Sequence, residues 1–182
     1  MFIQTETTPN PDTIKFIPGK ILLQEGTLSY NDMQRAKASP LAFKLFQVNG
    51  VRGVFIGKDF ISVTRDPDTD WQPLKPLLLS VIMEYLLSEE PILLEENKEE
   101  FVSNVKDTQL IKEIKELLET KVRPAVAGHG GDIIFHSYND GILTLEMQGS
   151  CSGCPSSTAT LKMGVENMFR HYLPEVTEVK QL

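Results

Sequence analysis

Residues 142–155 have the sequence ILTLEMQGSCSGCP. The first half alternates apolar and polar side chains, a pattern that predicts a strand with one buried face. The second half places Cys151 and Cys154 in a loop of glycines and serines that ends at a proline. These are the only two cysteines among 182 residues. A pair with this spacing can bind one metal centre or form one disulfide, but two thiolates alone cannot complete a four-coordinate site.

The neighbouring segments predict a small α+β domain over residues 107–182, made of a helix, a β-hairpin, a second helix and a short last strand. Asp107 is expected to cap the first helix, and Pro124 to kink or end it. The turn Asn139-Asp140-Gly141 is a strong hairpin signal. The expected bounds are 107–122 for the first helix, 133–138 and 142–148 for the hairpin, 155–172 for the second helix and 176–180 for the last strand.

A glycine-rich segment, Gly128-His129-Gly130-Gly131-Asp132, lies between the first helix and the hairpin. Gly128 is well placed to cap the end of the helix, and Gly130-Gly131 to form a turn. The segment lacks the G-x-x-x-x-G-K-[ST] pattern of a phosphate-binding loop. We therefore interpret it as a structural corner.

Residues 1–88 predict a second small α+β domain, in which short strands and turns accompany two helices. Ser39 is expected to cap a helix that starts at Pro40, and Asp70 a longer one that starts at Trp71. The expected strands are 2–7, 13–17, 51–56 and 60–64, with a hairpin turn at 57–59, and the expected helices are 40–47 and 71–87.

An acidic stretch separates the two predicted domains. From Ser88 to Asp107 the chain has seven acids and two lysines, and Pro91 interrupts it. We interpret residues 89–106 as an acidic linker rather than as the solvated face of a helix. The predicted fold class is therefore α+β, with two small α+β domains joined by an acidic linker.

Composition limits the classes of partner. The formal net charge of −7 argues against a broad basic surface for nucleic acid. The longest apolar run, residues 74–87, is interrupted by Lys75, Pro76 and Glu84 and is too short to span a bilayer. The first residues have the pattern of neither a secretory signal nor an Arg-rich leader. We expect no nucleic-acid partner, no membrane insertion and a cytoplasmic location with reduced thiols.

The cysteine loop favours anionic sulfur. It is predicted to lie between the end of a strand and the start of a helix, where free backbone amides and the helix dipole stabilise thiolates. Gly149, Gly153 and the small serines allow the backbone to turn closely around a bulky anionic group. This composition disfavours the plain alternative of two inert, packed cysteines.

Three chemistries stay open for the cysteine pair. A thioredoxin-like dithiol would need a longer sheet and usually an aromatic residue beside the first cysteine, where this chain has Ser150. An iron–sulfur cluster would find four thiolates if two chains met at a two-fold axis. A zinc site would need two more ligands, for which His129 is the best placed histidine. The only histidines are His129, His136 and His171.

The motifs resemble those of a known family. Residues 149–155 and 128–132, with the helix at 112–122 before them, resemble the C-terminal domain of NifU-like (Nfu-type) iron–sulfur proteins. The segments TTPNPD at 7–12 and SPLA at 39–42 are similar to the N-terminal domain of the bacterial and mitochondrial members. The match covers nearly the whole chain and keeps the domain order. It is specific because the cysteine loop, the glycine corner and the N-terminal motif occur together.

This resemblance implies a carrier that holds a [4Fe-4S] cluster between the two chains of a homodimer, with Cys151 and Cys154 as the iron ligands. It further implies an upstream cluster donor and recipient apo-proteins. No catalytic role follows for the N-terminal domain, and no acid–base pair or Ser-His-Asp set can be assigned, so we do not expect an enzyme. A bacterial cytoplasm is the expected location, with an organelle matrix as the alternative for a mature form. A thiol–disulfide oxidoreductase and a zinc-binding interaction module are the alternative functions.

Overall fold

The computed structural model describes residues 2–88, 90–94, 108–152 and 157–182. Its contacts divide the chain into two units, Met1–Glu100 and Phe101–Leu182. Each unit combines helices with a β-sheet, which confirms the predicted fold of two α+β domains. Of the linker predicted at residues 89–106, only residues 90–94 are among those described.

The described part of the N-terminal unit contains one antiparallel sheet. Its strands are β1 (Gln4–Thr7), β2 (Thr13–Ile17), β3 (Leu28–Tyr30), β4 (Val51–Ile56) and β5 (Ile61–Arg65). They lie in the order β1-β2-β5-β4-β3. The amide of Gly57 donates to the carbonyl of Phe60 at 2.9 Å, which closes the hairpin predicted between β4 and β5. The sequence does not predict β3, because three residues are too few to show an alternating pattern.

In the described part of this unit, three helices accompany the sheet: α1 (Met33–Ala36), α2 (Pro40–Phe46) and α3 (Trp71–Ser88). The hydroxyl of Ser39 accepts from the amide of Ala42, as predicted for the start of α2. The carboxylate of Asp70 accepts from the amide of Gln72 at 3.0 Å, as predicted for the start of α3. The single turn α1 was missed, because one turn is too short for helical periodicity to show. No helix in the described part of the chain is long and apolar enough to cross a lipid bilayer.

The N-terminal core lies between the sheet and the helices α2 and α3. Phe16, Leu45, Ile61 and Leu78 are fully buried within one apolar cluster. Each such side chain contributes about 1.5–3 kcal/mol by leaving water. Leu77 of α3 is 55% exposed, while Leu74 and Leu78 are buried, because the helical spacing turns only one stripe of α3 toward the core.

Residues 90–94 pack back on the N-terminal unit. The hydroxyl of Tyr85 donates to the carbonyl of Pro91 at 2.7 Å. The amide of Leu94 donates to the carbonyl of Ala38 at 3.0 Å. Ile92 packs against the apolar cluster. The described residues of the predicted linker are therefore held by specific contacts.

The C-terminal unit contains three α-helices and three strands in its described part. They are α4 (Gln109–Leu117), α5 (Arg123–Gly128), β6 (Gly131–Asn139), β7 (Ile142–Gly149), α6 (Ser157–Tyr172) and β8 (Glu178–Gln181), with a π-helical turn, Leu118–Val122, between α4 and α5. The sheet order is β6-β7-β8, in which β6 and β7 are antiparallel and β7 and β8 parallel. Asp140 and Gly141 adopt φ angles of 47° and 84°, which confirms the predicted Asp-Gly hairpin turn.

Two predictions for the first helix of this unit need correction. The cap of α4 is Thr108, whose hydroxyl accepts a backbone amide; Asp107, the predicted cap, lies outside the described residues. Pro124 does not end the helical path, which continues through α5 to Gly128. The π-helical turn just before it widens the backbone, and this makes room for a ring that would otherwise clash with the preceding turn.

The C-terminal core packs the helices against one face of the three-stranded sheet. Ile114, Leu145 and Phe169 are fully buried, and Val126 from α5 is 2% exposed. Cys151 belongs to the same apolar cluster. One of the two predicted ligands is therefore part of the hydrophobic core of a single chain.

Candidate functional site

Cys151 lies just beyond the end of β7 and is 4% exposed. The amide of the exposed Ser152 donates to the carbonyl of Gly149 at 3.1 Å, so the chain turns sharply at the cysteine. Cys154, the second predicted ligand, lies outside the described residues. The structure therefore gives the surroundings of one ligand of the predicted pair.

The glycine corner, residues 128–132, lies directly beside Cys151. Gly131 opens β6 and pairs with Gly149 across the hairpin. A Cβ atom on Gly131 would lie 2.7 Å from the Sγ of Cys151 and 2.7 Å from the carbonyl oxygen of Gln148. Both distances are shorter than any normal carbon contact. Only glycine at this position lets the cysteine lie so close to β6.

Ser150 fastens the corner to the cysteine loop. Its amide donates to the carbonyl of Gly130 at 3.1 Å, and its hydroxyl donates to the carbonyl of His129. Ser150 is 3% exposed, so these bonds are shielded from water. The segments 129–131 and 149–151, which are distant in sequence, are thereby held side by side.

The helix before the corner ends differently from the prediction. Gly128 is the last residue of α5, and His129, with φ −90°, caps it. The left-handed conformation falls on Gly130, at φ 80°. A residue with this φ follows many helix ends, and glycine adopts it without steric cost. The corner has the structural role that was predicted, with the cap shifted along the chain.

A buried ion pair supports the corner from the side of α5. Asp132 is 3% exposed, and its carboxylate accepts from Nε and Nη2 of Arg123 at 2.8 and 2.7 Å. The carboxylate also accepts the amide of Ile133 at 2.8 Å. The hydrogen bond to Asp132 raises the pKa of Arg123, with burial opposing it and Glu119 adding to it. Arg123 is thus fixed as a cation between two carboxylates.

The three histidines do not form a described metal site. His129 and His136 are exposed, and His171 in α6 contacts Tyr172 edge-on, with ring centroids 5.0 Å apart. Within the described part of the chain, no three His, Cys, Asp or Glu side chains are grouped so that they could hold a metal ion. His129 nevertheless neighbours the cysteine loop through its carbonyl, as the bond from Ser150 requires.

The donor chemistry of the site fits a thiolate-ligated metal or cluster. A thiol stands at a tight turn rich in glycine and serine, beside backbone too close for any side chain larger than hydrogen. The inward position of Cys151 sets a condition on this chemistry, because a buried sulfur cannot reach a metal outside the core. To ligate a metal centre, its side chain or its loop would have to turn outward.

Gly131→Ala tests the close contact directly. We expect the alanine to lower the free energy of unfolding of the C-terminal unit by about 1–3 kcal/mol, because the added methyl group overlaps the sulfur of Cys151 and a backbone oxygen. Urea unfolding followed by far-UV circular dichroism measures the change. The fluorescence of Trp71, the single tryptophan, reports on the N-terminal unit and should be unchanged.

Gly128→Ala is the matched control for this substitution. It lies in the helix before the corner, and nothing stands within 4 Å of the position its Cβ would take. The free energy of unfolding of this variant should stay the same or rise slightly, because alanine favours a helix. Equal losses of stability for both variants would contradict the contact between Gly131 and Cys151.

Sequence reasoning missed three participants in this site. Arg123 and Asp132 form its buried ion pair, and the hydroxyl of Ser150 ties down the corner. Asp132 belongs to the glycine-rich segment, but its burial cannot be inferred from a glycine-rich turn. The sequence feature that could have indicated the ion pair is the charge of Asp132, since an acid at the start of a buried strand needs a partner.

Two family models match the chain. The model described as "Scaffold protein Nfu/NifU N terminal" matches residues 3–89, and the model described as "NifU-like domain" matches residues 114–180. One match thus falls in each of the two units.

Similar proteins from animals align with the whole of this chain. The human protein named "NFU1 iron-sulfur cluster scaffold homolog, mitochondrial" is 45% identical over 183 residues, which cover 100% of this chain and 72% of that protein. The Drosophila willistoni protein of the same name is 47% identical over 190 residues, which cover 100% of this chain and 64% of that protein. The chain therefore spans slightly less than two thirds of the fly protein.

One solved structure is also similar to part of the chain. It is the solution NMR structure of a NifU-like protein from Saccharomyces cerevisiae, with 24% sequence identity and a TM-score of 0.47. The similarity covers 52% of this chain and 86% of that one.

Proposed function

This chain belongs to the Nfu family of NifU-like proteins, and from this premise we propose that it is an iron–sulfur cluster scaffold and carrier. Family models match both of its halves, and relatives named as iron–sulfur cluster scaffold homologs align with its whole length. These matches support a role in iron–sulfur cluster assembly. The cluster type, the ligands, the dimer and the delivery are our proposals.

The observation that carries the proposal is the position of Cys151 against the glycine corner, within the only pair of cysteines in the chain. A four-iron cluster takes one terminal thiolate for each iron. One chain supplies half of these thiolates through Cys151 and Cys154. Two chains related by a two-fold axis supply the full set, so the cargo is a [4Fe-4S] cluster shared within a homodimer.

The burial of Cys151 suits a carrier more than a permanent cofactor site. In the single chain the thiol belongs to the apolar core and contacts Gly131, so it has packed surroundings without the cluster. Binding the cluster requires the thiol to leave that contact. Release of the cluster restores it, which makes the free energy of release more favourable.

The two units have different tasks in this proposal. We propose residues 107–182 as the cluster-binding domain and residues 1–88 as an Nfu-type N-terminal domain, with residues 89–106 as an acidic linker. The carrier receives the cluster from an upstream donor and passes it to recipient apo-proteins. It performs no catalysis of its own, and no nucleic acid or membrane takes part.

The proposed location follows from the relatives. The human and fly relatives carry the word mitochondrial in their names, which favours an organelle matrix for this chain over a bacterial cytoplasm. Both compartments keep thiols reduced, and this is the condition that the cysteine pair needs for iron binding.

Anaerobic reconstitution with iron and sulfide tests the function. We expect a brown protein that migrates as a dimer in size-exclusion chromatography and contains about four irons per two chains, because neither chain alone has four thiolates. The apo-protein, measured in parallel, should be largely monomeric.

Other outcomes of the same experiment favour the alternatives. A monomer that holds the cluster would refute the shared site. A colourless protein whose cysteines cycle between dithiol and disulfide would favour the thiol–disulfide oxidoreductase. Stoichiometric zinc in place of iron would favour the zinc-binding interaction module.

A further inference from the structure

The carboxylate of Asp132 is almost completely removed from water, and Asp132 directly follows Gly131, which contacts Cys151. A buried carboxylate is stable only when charged and polar partners surround it. Arg123 supplies two parallel N–H donors, at 2.8 and 2.7 Å. This forked arrangement fixes the direction of the carboxylate as well as its charge.

The ion pair between Arg123 and Asp132 also restrains the backbone. Arg123 is the first residue of α5, and Asp132 is the second residue of β6, so the pair ties the start of the helix to the start of the strand. The glycine corner is the connection between these two points. Its far side is tied to the cysteine loop by Ser150. Movement of Gly131 away from the sulfur is therefore restrained from both sides.

We infer that Arg123 and Asp132 are positioning residues for Cys151: by holding the glycine corner in place, they set how readily the thiol leaves the core. The claim concerns the apo chain, and only its consequence for the cargo rests on the proposed function. Loss of the pair frees Gly131 to move, and the thiol becomes accessible more often. Arg123 and Asp132 thus act through the corner without contacting the metal centre.

A single-thiol protein measures this accessibility. Cys154→Ala leaves Cys151 as the only cysteine of the full-length chain. The rate of its alkylation by iodoacetamide, followed by mass spectrometry, should be much slower than in the same protein unfolded in urea, because the sulfur is buried. Adding Arg123→Gln or Asp132→Asn should accelerate the reaction by roughly tenfold or more, since a charge-assisted contact no longer opposes local opening.

Two further variants make the test specific. Arg123→Lys keeps the charge but loses the fork, so its rate should lie between those of the parent and Arg123→Gln. If Arg123→Gln fails to fold, Arg123→Lys still tests the inference. Glu119→Gln removes the charge of the other partner of Arg123. The side chain of Glu119 is 62% exposed, so this variant should have an alkylation rate close to that of the parent.

Global stability separates positioning from a general structural role. The equilibrium constant for unfolding of each variant is measured in urea and compared with its alkylation rate. A rate that rises more than the unfolding constant supports local control of the thiol. A rate that is unchanged in both Arg123→Gln and Asp132→Asn, or that rises only in proportion to unfolding, overturns the inference.

Reconstitution with both cysteines present keeps this inference apart from the proposed function. If the variants show the expected alkylation rates but no protein, including the parent, takes up iron and sulfide, the proposed cargo is wrong and the positioning role stands. If the parent takes up the cluster while the alkylation rates do not respond, the carrier function stands and the positioning role is refuted.

Discussion

Cys151→Ala and Cys154→Ala are each expected to abolish the bound cluster, lowering the iron content from about four per two chains to near zero. Each substitution leaves two thiolates in the dimer, and a cluster that has lost half of its ligands is released or degraded. Iron and sulfide analysis, together with the visible absorption of the reconstituted protein, measures the loss. Far-UV circular dichroism shows whether the variants are folded.

Ser152→Ala and His129→Ala are the controls for the cysteine variants. Ser152 stands between the two cysteines and is exposed, so its loss removes neither a ligand nor a buried contact. His129 should matter much less than either cysteine. Loss of iron in His129→Ala, with retention in one cysteine variant, would replace the four-cysteine cluster with a mixed Cys/His site.

The second large effect concerns the separated units. A fragment of residues 107–182 is expected to dimerise and take up iron and sulfide at the level of the full-length chain. A fragment of residues 1–94 should take up none, because it contains no cysteine. The fragments are expected to fold separately because each unit has its own apolar cluster, and no described residue belongs to both clusters.

The measurement is the iron content per chain after reconstitution, with the full-length protein treated in parallel. The N-terminal fragment ends at residue 94 because residues 90–94 pack on that unit through Tyr85 and Ala38. A C-terminal fragment that is folded but binds no iron would mean that the N-terminal unit helps to build the site. The proposed division between carrier domain and N-terminal domain would then be wrong.

Much of the fold could be predicted because its signals are local. Ser39 and Asp70 cap helices by bonding amides that lie two or three residues further on. The Asp140-Gly141 turn needs two residues that tolerate positive φ. Such features depend on neighbours in sequence, so the sequence shows them directly. Where elements were short, as in β3 and α1, the periodic signal was too weak to detect.

The site was predicted less completely. The cysteine pair stands out by composition, and the structure places Cys151 beside the glycine corner that was singled out with it. The sequence suggested a cysteine available to a metal, whereas Cys151 is 4% exposed and belongs to the core. Whether a small thiol at a strand end faces inward depends on the space beside it. That space exists because the neighbouring strand β6 places Gly131, which has no side chain, beside the sulfur.

The sequence by itself determined the two α+β domains, the hairpin and the identity of the cysteine pair, because capping, turn formation and apolar periodicity act over a few residues. Only the tertiary structure decided which groups meet across longer separations. Arg123 reaches Asp132, nine positions further on, across the helix α5 and the glycine corner, and Ser150 reaches the carbonyl of His129 from 21 positions away. These contacts depend on how α5 and the hairpin pack together, and packing is set by the shape and burial of the whole unit rather than by any local pattern.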